Sequence, residues 1–133
     1  VLNVVDSSGW LEYFANGPNT AFFAPIIKQE EELIVPTITL FEVYRRMHIL
    51  RGEEDAVDAI AHMQCNQLAT LTSQIALLGA DLSLKNNLPM ADSIIYATAK
   101  MYDATLWTQD SDFAGLEGVK YKAKPRVKIK QKK

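Results

Sequence analysis

Five carboxylates fall where a parallel sheet would bring them together: Asp6, Glu42, Asp92, and the pair Asp110 and Asp112 in one turn. Asp6 closes the short run Leu2–Val5. Glu42 lies in the first turns of a helix that follows Leu33-Ile34-Val35. Asp92 comes three residues after Pro89, again at a helix start, and Asp110 and Asp112 follow the run Ala104–Trp107. Carboxylates held close together repel and raise one another's pKa, so such a cluster is stable with a cation in it. Donors that are all oxygen select hard ions, Mg²⁺ or Mn²⁺. Such ions activate water and stabilise phosphoryl charge, which is the chemistry of phosphodiester hydrolysis.

Each acid also has a plainer role. Asp6 suits the N-cap of a helix at Trp10, although Ser7 or Ser8 would serve there too. Thr39-Leu40-Phe41-Glu42 fits a capping box, and Arg45 and Arg46 stand at i+3 and i+4 from Glu42, ready to pair with it. Against this, Phe41 and Val43 flank Glu42 and place it near the buried face. A carboxylate at the position of Asp92 gains about 0.3–1 kcal/mol from the helix dipole with no active site present. Asp110 and Asp112 read as turn acids. The set argues more than its members: several follow strands or open helices at one edge of a sheet, the edge where doubly wound folds bind ligands.

The elements that must position them alternate. Leu2–Val5 reads as a first strand. Trp10, Leu11 and Phe14, then Phe22, Phe23, Ile26 and Ile27, mark two short helices broken at Asn16-Gly17-Pro18-Asn19. Leu33–Val35 is a strand stopped by Pro36. Residues 38–51 form a helix with Phe41, Tyr44, Met47 and Leu50 as its stripe, ended by Gly52. Ala56, Ile60 and Met63 mark the next helix. Gln67–Leu71 is a weak strand, and Thr72 or Ser73 caps a helix through Ile75, Leu78 and Leu82. Pro89 opens another helix; Ala104–Trp107 and Val119–Tyr121 are the last strands. Short, continuously apolar strands between helices imply a parallel sheet covered on both faces, an α/β class with three layers. Residues 1–121 make the domain and 122–133 a basic tail.

The chain has 133 residues, 48% hydrophobic and 23% charged, which suits one soluble globular core. No run approaches the roughly 18–20 apolar residues that cross a bilayer. The segment Val1–Val5 is too short for a signal peptide, and the absent initiator Met implies processing, trimming or a tag. The single Cys65 rules out an internal disulfide and fits a reducing cytoplasm; it has no flanking motif of a nucleophile. His48 and His62 lie 14 residues apart on different helices with no third ligand, and read as helix-face residues. The net charge of −2 conceals an asymmetry. Residues 1–119 hold all 16 acids and six basic residues, net −10, while residues 120–133 hold eight basic residues and no acid. Lys124, Arg126, Lys128 and Lys130 are therefore candidates for phosphate contacts, unless the tail is simply a solvated terminus.

Four segments together resemble the PIN-domain family, and within it the VapC-type toxins of toxin–antitoxin systems. They are Val4-Val5-Asp6-Ser7-Ser8, Pro36-Thr37-Ile38-Thr39-Leu40-Phe41-Glu42-Val43, Met90-Ala91-Asp92-Ser93-Ile94-Ile95-Tyr96-Ala97-Thr98-Ala99 and Leu106-Trp107-Thr108-Gln109-Asp110-Ser111-Asp112-Phe113. The third is the most specific. Their order and spacing fit over about residues 2–121. The resemblance implies an α/β/α sandwich, a divalent-metal site and endonucleolytic cleavage of RNA. It carries the constant acids onto Asp6, Glu42 and Asp92, and a fourth position onto Asp110, two residues after Thr108, with Asp112 as second choice. Ser8 and Thr108 match polar positions that orient the acids or metal-bound water. It further implies a small antitoxin that wraps the body and enters the acidic cleft, docking near Trp10–Phe14 and Phe41–Leu50, and a two-fold homodimer. The basic tail is no part of the motif.

Other classes fit less well. A receiver domain needs two adjacent acids after strand one, an Asp after strand three and a Lys after strand five; Gln67–Leu71 offers no Asp, and no Lys follows Trp107 until Lys120. A haloacid-dehalogenase-type phosphatase needs Asp-x-Asp, which Asp6-Ser7-Ser8 lacks. A non-catalytic RNA- or partner-binding module would not need all four acids. A housekeeping RNA-processing nuclease of the same family would have no antitoxin.

Overall fold

The computed structural model describes residues 1–126, and Lys128 and Lys130 of the tail lie outside the described residues. Five strands form one parallel sheet in the order β3-β2-β1-β4-β5. They are β1 (Asn3–Val5), β2 (Leu33–Pro36), β3 (Gln67–Ala69), β4 (Thr105–Thr108) and β5 (Val119–Tyr121). Six helices connect them: α1 (Ser7–Ala15), α2 (Thr20–Ile27), α3 (Thr37–Arg51), α4 (Glu53–Gln64), α5 (Ser73–Asn86) and α6 (Met90–Met101). The order reverses at β1, between β2 and β4, which puts the topological switch point beside Asp6.

Strand alternation sorts the core into two layers. Val4, Ile34 and Leu106 pack with Ile75, Leu82, Ile95 and Ala99 of α5 and α6. Val5, Leu33 and Val35 pack on the other face with Trp10, Phe23, Val43 and Met63 of α1–α4. Both faces of the central strands are thus buried, so β1 and β2 read as unbroken apolar runs. The fold is the three-layer α/β/α sandwich expected.

Several local expectations need correction. Helix α3 begins at Thr37 with Pro36 at its N-cap, so Thr39 is inside the helix and the capping box of Thr39 with Glu42 does not form. The Thr39 hydroxyl instead donates to the Pro36 carbonyl at 2.6 Å. The buried stripe of α3 is Thr39, Val43 and Met47, at i, i+4 and i+8; Phe41, Tyr44 and Leu50 are exposed. A three-residue repeat drifts around a helix of 3.6 residues per turn, and here only Met47 of that repeat reaches the core. Strand β3 stops at Ala69 instead of Leu71, and β4 starts and ends one residue later than its apolar run. Helix α1 is capped by Asp6, whose carboxylate accepts from the Gly9 N–H at 2.9 Å, and not by Ser7 or Ser8.

Beyond β5 the chain stays tied to the body. The Lys122 N–H donates to the Thr108 carbonyl at 3.0 Å, and the Asn19 amide donates to the Ala123 carbonyl at 3.1 Å. No helix among the described residues is long and apolar enough to cross a membrane.

Candidate metal centre

All five strands are parallel, so their carboxyl ends open on one edge. Asp6 leaves β1 there and is 2% exposed. Its Oδ1 accepts from the Ser8 hydroxyl at 2.8 Å and from the Gly9 N–H at 2.9 Å. Its Oδ2 accepts from Ser8 at 2.9 Å and from the Thr108 hydroxyl at 2.7 Å. The lone pairs of both oxygens are nearly all engaged, which fixes the carboxylate rigidly. Burial pushes the Asp6 carboxyl up to about 6 from its ordinary 3.8; the bonds from Thr108, Gly9 and Ser8 oppose that rise, and the charge of Asp110 adds to it.

Thr108 does two jobs. Its hydroxyl proton goes to Asp6, and its oxygen accepts the Asp110 N–H at 2.9 Å. One buried side chain thereby couples the end of β1 to the turn after β4. Asp110 in turn accepts the Asp112 N–H at 2.9 Å and caps the short 3₁₀ turn Ser111–Phe113, which Phe113 anchors in the core.

Asp92 faces that turn from the first turn of α6. Carboxylate oxygens of Asp92, Asp110 and Asp112 lie within 4.8 Å of one another, close enough for one ion to be shared. Burial pushes the Asp92 carboxyl up to about 7 from 3.8, followed by the charges of Asp110, Asp6, Glu42 and Asp112. Those four sources are the other four acids named from the sequence, and all bear on one side chain. Asp6 and Glu42 stand outside the tight group of three. Glu42, on α3, accepts the Ser7 hydroxyl at 2.6 Å; neither Arg45 nor Arg46 forms an ion pair with it among the described residues.

An all-oxygen set in which burial and neighbouring charge raise Asp6 and Asp92 fits a hard divalent cation, because the cation removes the repulsion that burial amplifies. Sequence reasoning undervalued Ser7, named there only as a possible cap. It missed Asn19 and Gln109, whose side chains are buried beside the site and joined at 3.0 Å. The one available signal was the polar pair Thr108-Gln109 leaving a buried strand.

A doubly wound parallel sheet with polyacid side chains at its switch point defines the class of protein. More particularly, residues 4–119 match the family model described as PIN domain, and the chain belongs to the PIN domain family. Among solved structures, it is similar to a toxin–antitoxin complex from Klebsiella pneumoniae, at TM-score 0.71 and 24% identity over 88% of this chain and 94% of that one. It is also similar to VapBC2 from Rickettsia felis bound to a promoter DNA fragment, at TM-score 0.72 and 11% identity over 94% and 100%. A third is VapC20 of Mycobacterium tuberculosis, a Sarcin-Ricin loop cleaving toxin, at TM-score 0.72 and 16% identity over 87% and 97%. Likeness at these identities concerns the fold. No curated protein matches the sequence.

Proposed function

We propose that the protein is a divalent-metal-dependent endoribonuclease, the toxin of a toxin–antitoxin pair. The observation that carries this reading is the grouping of the Asp92, Asp110 and Asp112 carboxylates within 4.8 Å of one another at the carboxyl edge of the sheet. Asp92, Asp110 and Asp112 would hold Mg²⁺ or Mn²⁺, with Asp6 and Glu42 completing the negative field around it. When bound, such an ion activates water and stabilises the charge developing on the phosphoryl oxygens.

The protein's own groups do the positioning. Thr108 and Ser8 hold the Asp6 carboxylate, and Thr108 sets the backbone from which Asp110 projects. Ser7 holds Glu42 at the other side of the cleft. Hydrolysis breaks one P–O bond of the RNA strand; water supplies the hydroxyl that joins phosphorus, and a proton ends on the departing oxygen.

An antitoxin partner is supported by the apolar groove between α3 and α4, where Leu40, Phe41, Tyr44, Ile49 and Ile60 line a cavity of about 680 Å³. Phe41 is 65% exposed and Ile49 59%, so the groove has a large uncovered apolar surface suited to an amphipathic helix. Phe41 and Arg45 line both this groove and the adjoining cleft that contains Ser7 and Glu42, so a partner lying in one reaches the other. Trp10, expected on the same dock, is fully buried core. A lone, exposed thiol at Cys65 suits a cytoplasmic setting.

The test is cleavage of RNA by the purified protein with Mg²⁺ or Mn²⁺ and after exhaustive chelation. Cleavage with metal and none without supports the reading. Undiminished cleavage after metal removal refutes it.

A further inference from the structure

A second groove, lined by other residues than the α3–α4 cavity, adjoins the acidic centre at Ser8. It runs between α1 and α3, has a volume of about 460 Å³, and begins at Ser8, whose hydroxyl holds Asp6. Its rim carries three cations: Arg46 and Arg51 from α3, and Lys124 from the segment after β5. Arg46 also lines the cleft with Ser7 and Glu42, so it stands where the groove and the acids meet.

Three observations make these cations a site and not a solvated face. First, none has a carboxylate partner: among the described residues the single ion pair is the Val1 amino group with Glu32. Second, the one acid in the groove, Glu12, is already used, accepting the Asn19 N–H at 2.6 Å and the Gln109 amide at 3.5 Å. Third, Lys124 is delivered there by a built contact. Buried Asn19 donates to the Ala123 carbonyl at 3.1 Å, and the neighbouring Lys122 N–H is bonded to β4. Arg46 and Arg51 are five residues apart, or about 7.5 Å along the helix axis, which separates their charges enough to meet different phosphates.

We infer that this groove binds the RNA strand on one side of the scissile bond, with Arg46, Arg51 and Lys124 contacting successive phosphates. The inference rests on the nuclease reading for its substrate. It adds the direction in which the strand leaves the acids and the cations that hold it. The acidic centre repels phosphates that the metal does not neutralise, so strand contacts must come from cations just beyond it. In this groove three unpaired cations adjoin the centre.

The experiment measures binding of a single-stranded RNA oligonucleotide to the Asp92→Asn protein over a range of salt, with and without Arg46→Gln, Arg51→Gln and Lys124→Gln. Lys28→Gln and Lys100→Gln are the controls, since both residues precede strands and lie at the opposite edge of the sheet. Each lost single-strand phosphate contact lowers the slope of log affinity against log salt by about 0.7, so the triple variant should flatten it by roughly two while the controls leave it unchanged. In the otherwise wild-type protein the triple variant should raise KM several-fold and leave kcat nearly intact. Equal slopes for the triple variant and the controls overturn the inference even if the wild-type protein cleaves RNA. Equal slopes combined with lost binding of an acidic peptide assign the groove to a protein partner instead. Absence of both binding and cleavage in the parent proteins overturns the inference together with the nuclease reading.

Discussion

At the scale of single residues, the acids divide by what holds them. Asp6 caps α1 and is bonded by Ser8, Gly9 and Thr108, so it is part of the scaffold as well as of the site. Asp92 has no comparable support and is surrounded by like charge. Asp92→Asn should therefore raise the stability of the metal-free protein near neutral pH, whereas Asp6→Ala should lower it by about 1 kcal/mol or more through the lost cap. The pH dependence follows from the same shifts. Asp6 and Asp92 have folded-state pKa values raised to about 6 and about 7 from 3.8, so the folded state holds their protons more tightly than the unfolded chain does. Their contribution is fully present below about pH 4 and is lost as pH rises through 6 to 7. In chelator, these two groups should lower the melting temperature across pH 4 to 7, and Mg²⁺ or Mn²⁺ should restore it more at pH 7.5 than at pH 5. Thermal melts of the wild type and Asp92→Asn across that range, with and without metal, check both signs. A metal-free melting temperature that does not respond to Asp92→Asn would contradict the repulsion argument.

At the scale of elements, Gly9 decides how closely α1 lies on the sheet. A Cβ there would stand 2.5 Å from Val5 Cγ1 and 2.7 Å from the Phe23 ring, both in the core. Gly→Ala inside a helix ordinarily stabilises by up to about 1 kcal/mol, but overpacking of this kind costs about 1–3 kcal/mol. Gly9→Ala should be net destabilising in denaturant melts and should disturb the Asp6 cap, since Gly9 supplies its N–H; a stabilised variant would show that α1 can shift freely. The breaks at Asn16-Gly17-Pro18-Asn19, Gly52 and Pro89 located helix ends well, because turn and cap chemistry is local. The start of α3 was legible to one residue, 38 against Thr37, but its cap was not: Thr39 and Glu42 satisfy a capping pattern, yet Pro36 is the N-cap and Thr39 lies buried inside the helix. The five acids were legible as a set, since sheet topology places strand ends together. The support around them was not, because Ser7 with Glu42, Thr108 with Asp6 and Asn19 with Gln109 join residues 35, 102 and 90 positions apart.

At the scale of the whole molecule, charge and surface set the predictions. The body through residue 119 is net −10 and the remaining residues +8, so the proposed RNA substrate would have to approach a negative domain by way of cations. The start of the tail is held at Ala123 by Asn19, between α1 and α2, so contact with the body continues past residue 121. A two-fold homodimer is the assembly we propose, and α5 leaves Leu77 70% and Leu84 85% exposed, two turns apart on one face. Sedimentation at tens of micromolar should give about twice the 14.9 kDa chain mass, and a monomer alone would contradict the dimer. We propose that divalent metal held among these acids supports cleavage of RNA. The most direct test is single-turnover cleavage by the wild type and by Asp92→Asn at saturating RNA and metal, with folding of both checked by thermal melts. The wild type should cleave in a metal-dependent way and Asp92→Asn should lose at least a hundredfold with the fold kept; cleavage by a folded Asp92→Asn protein at the wild-type rate would refute a metal centre built on Asp92.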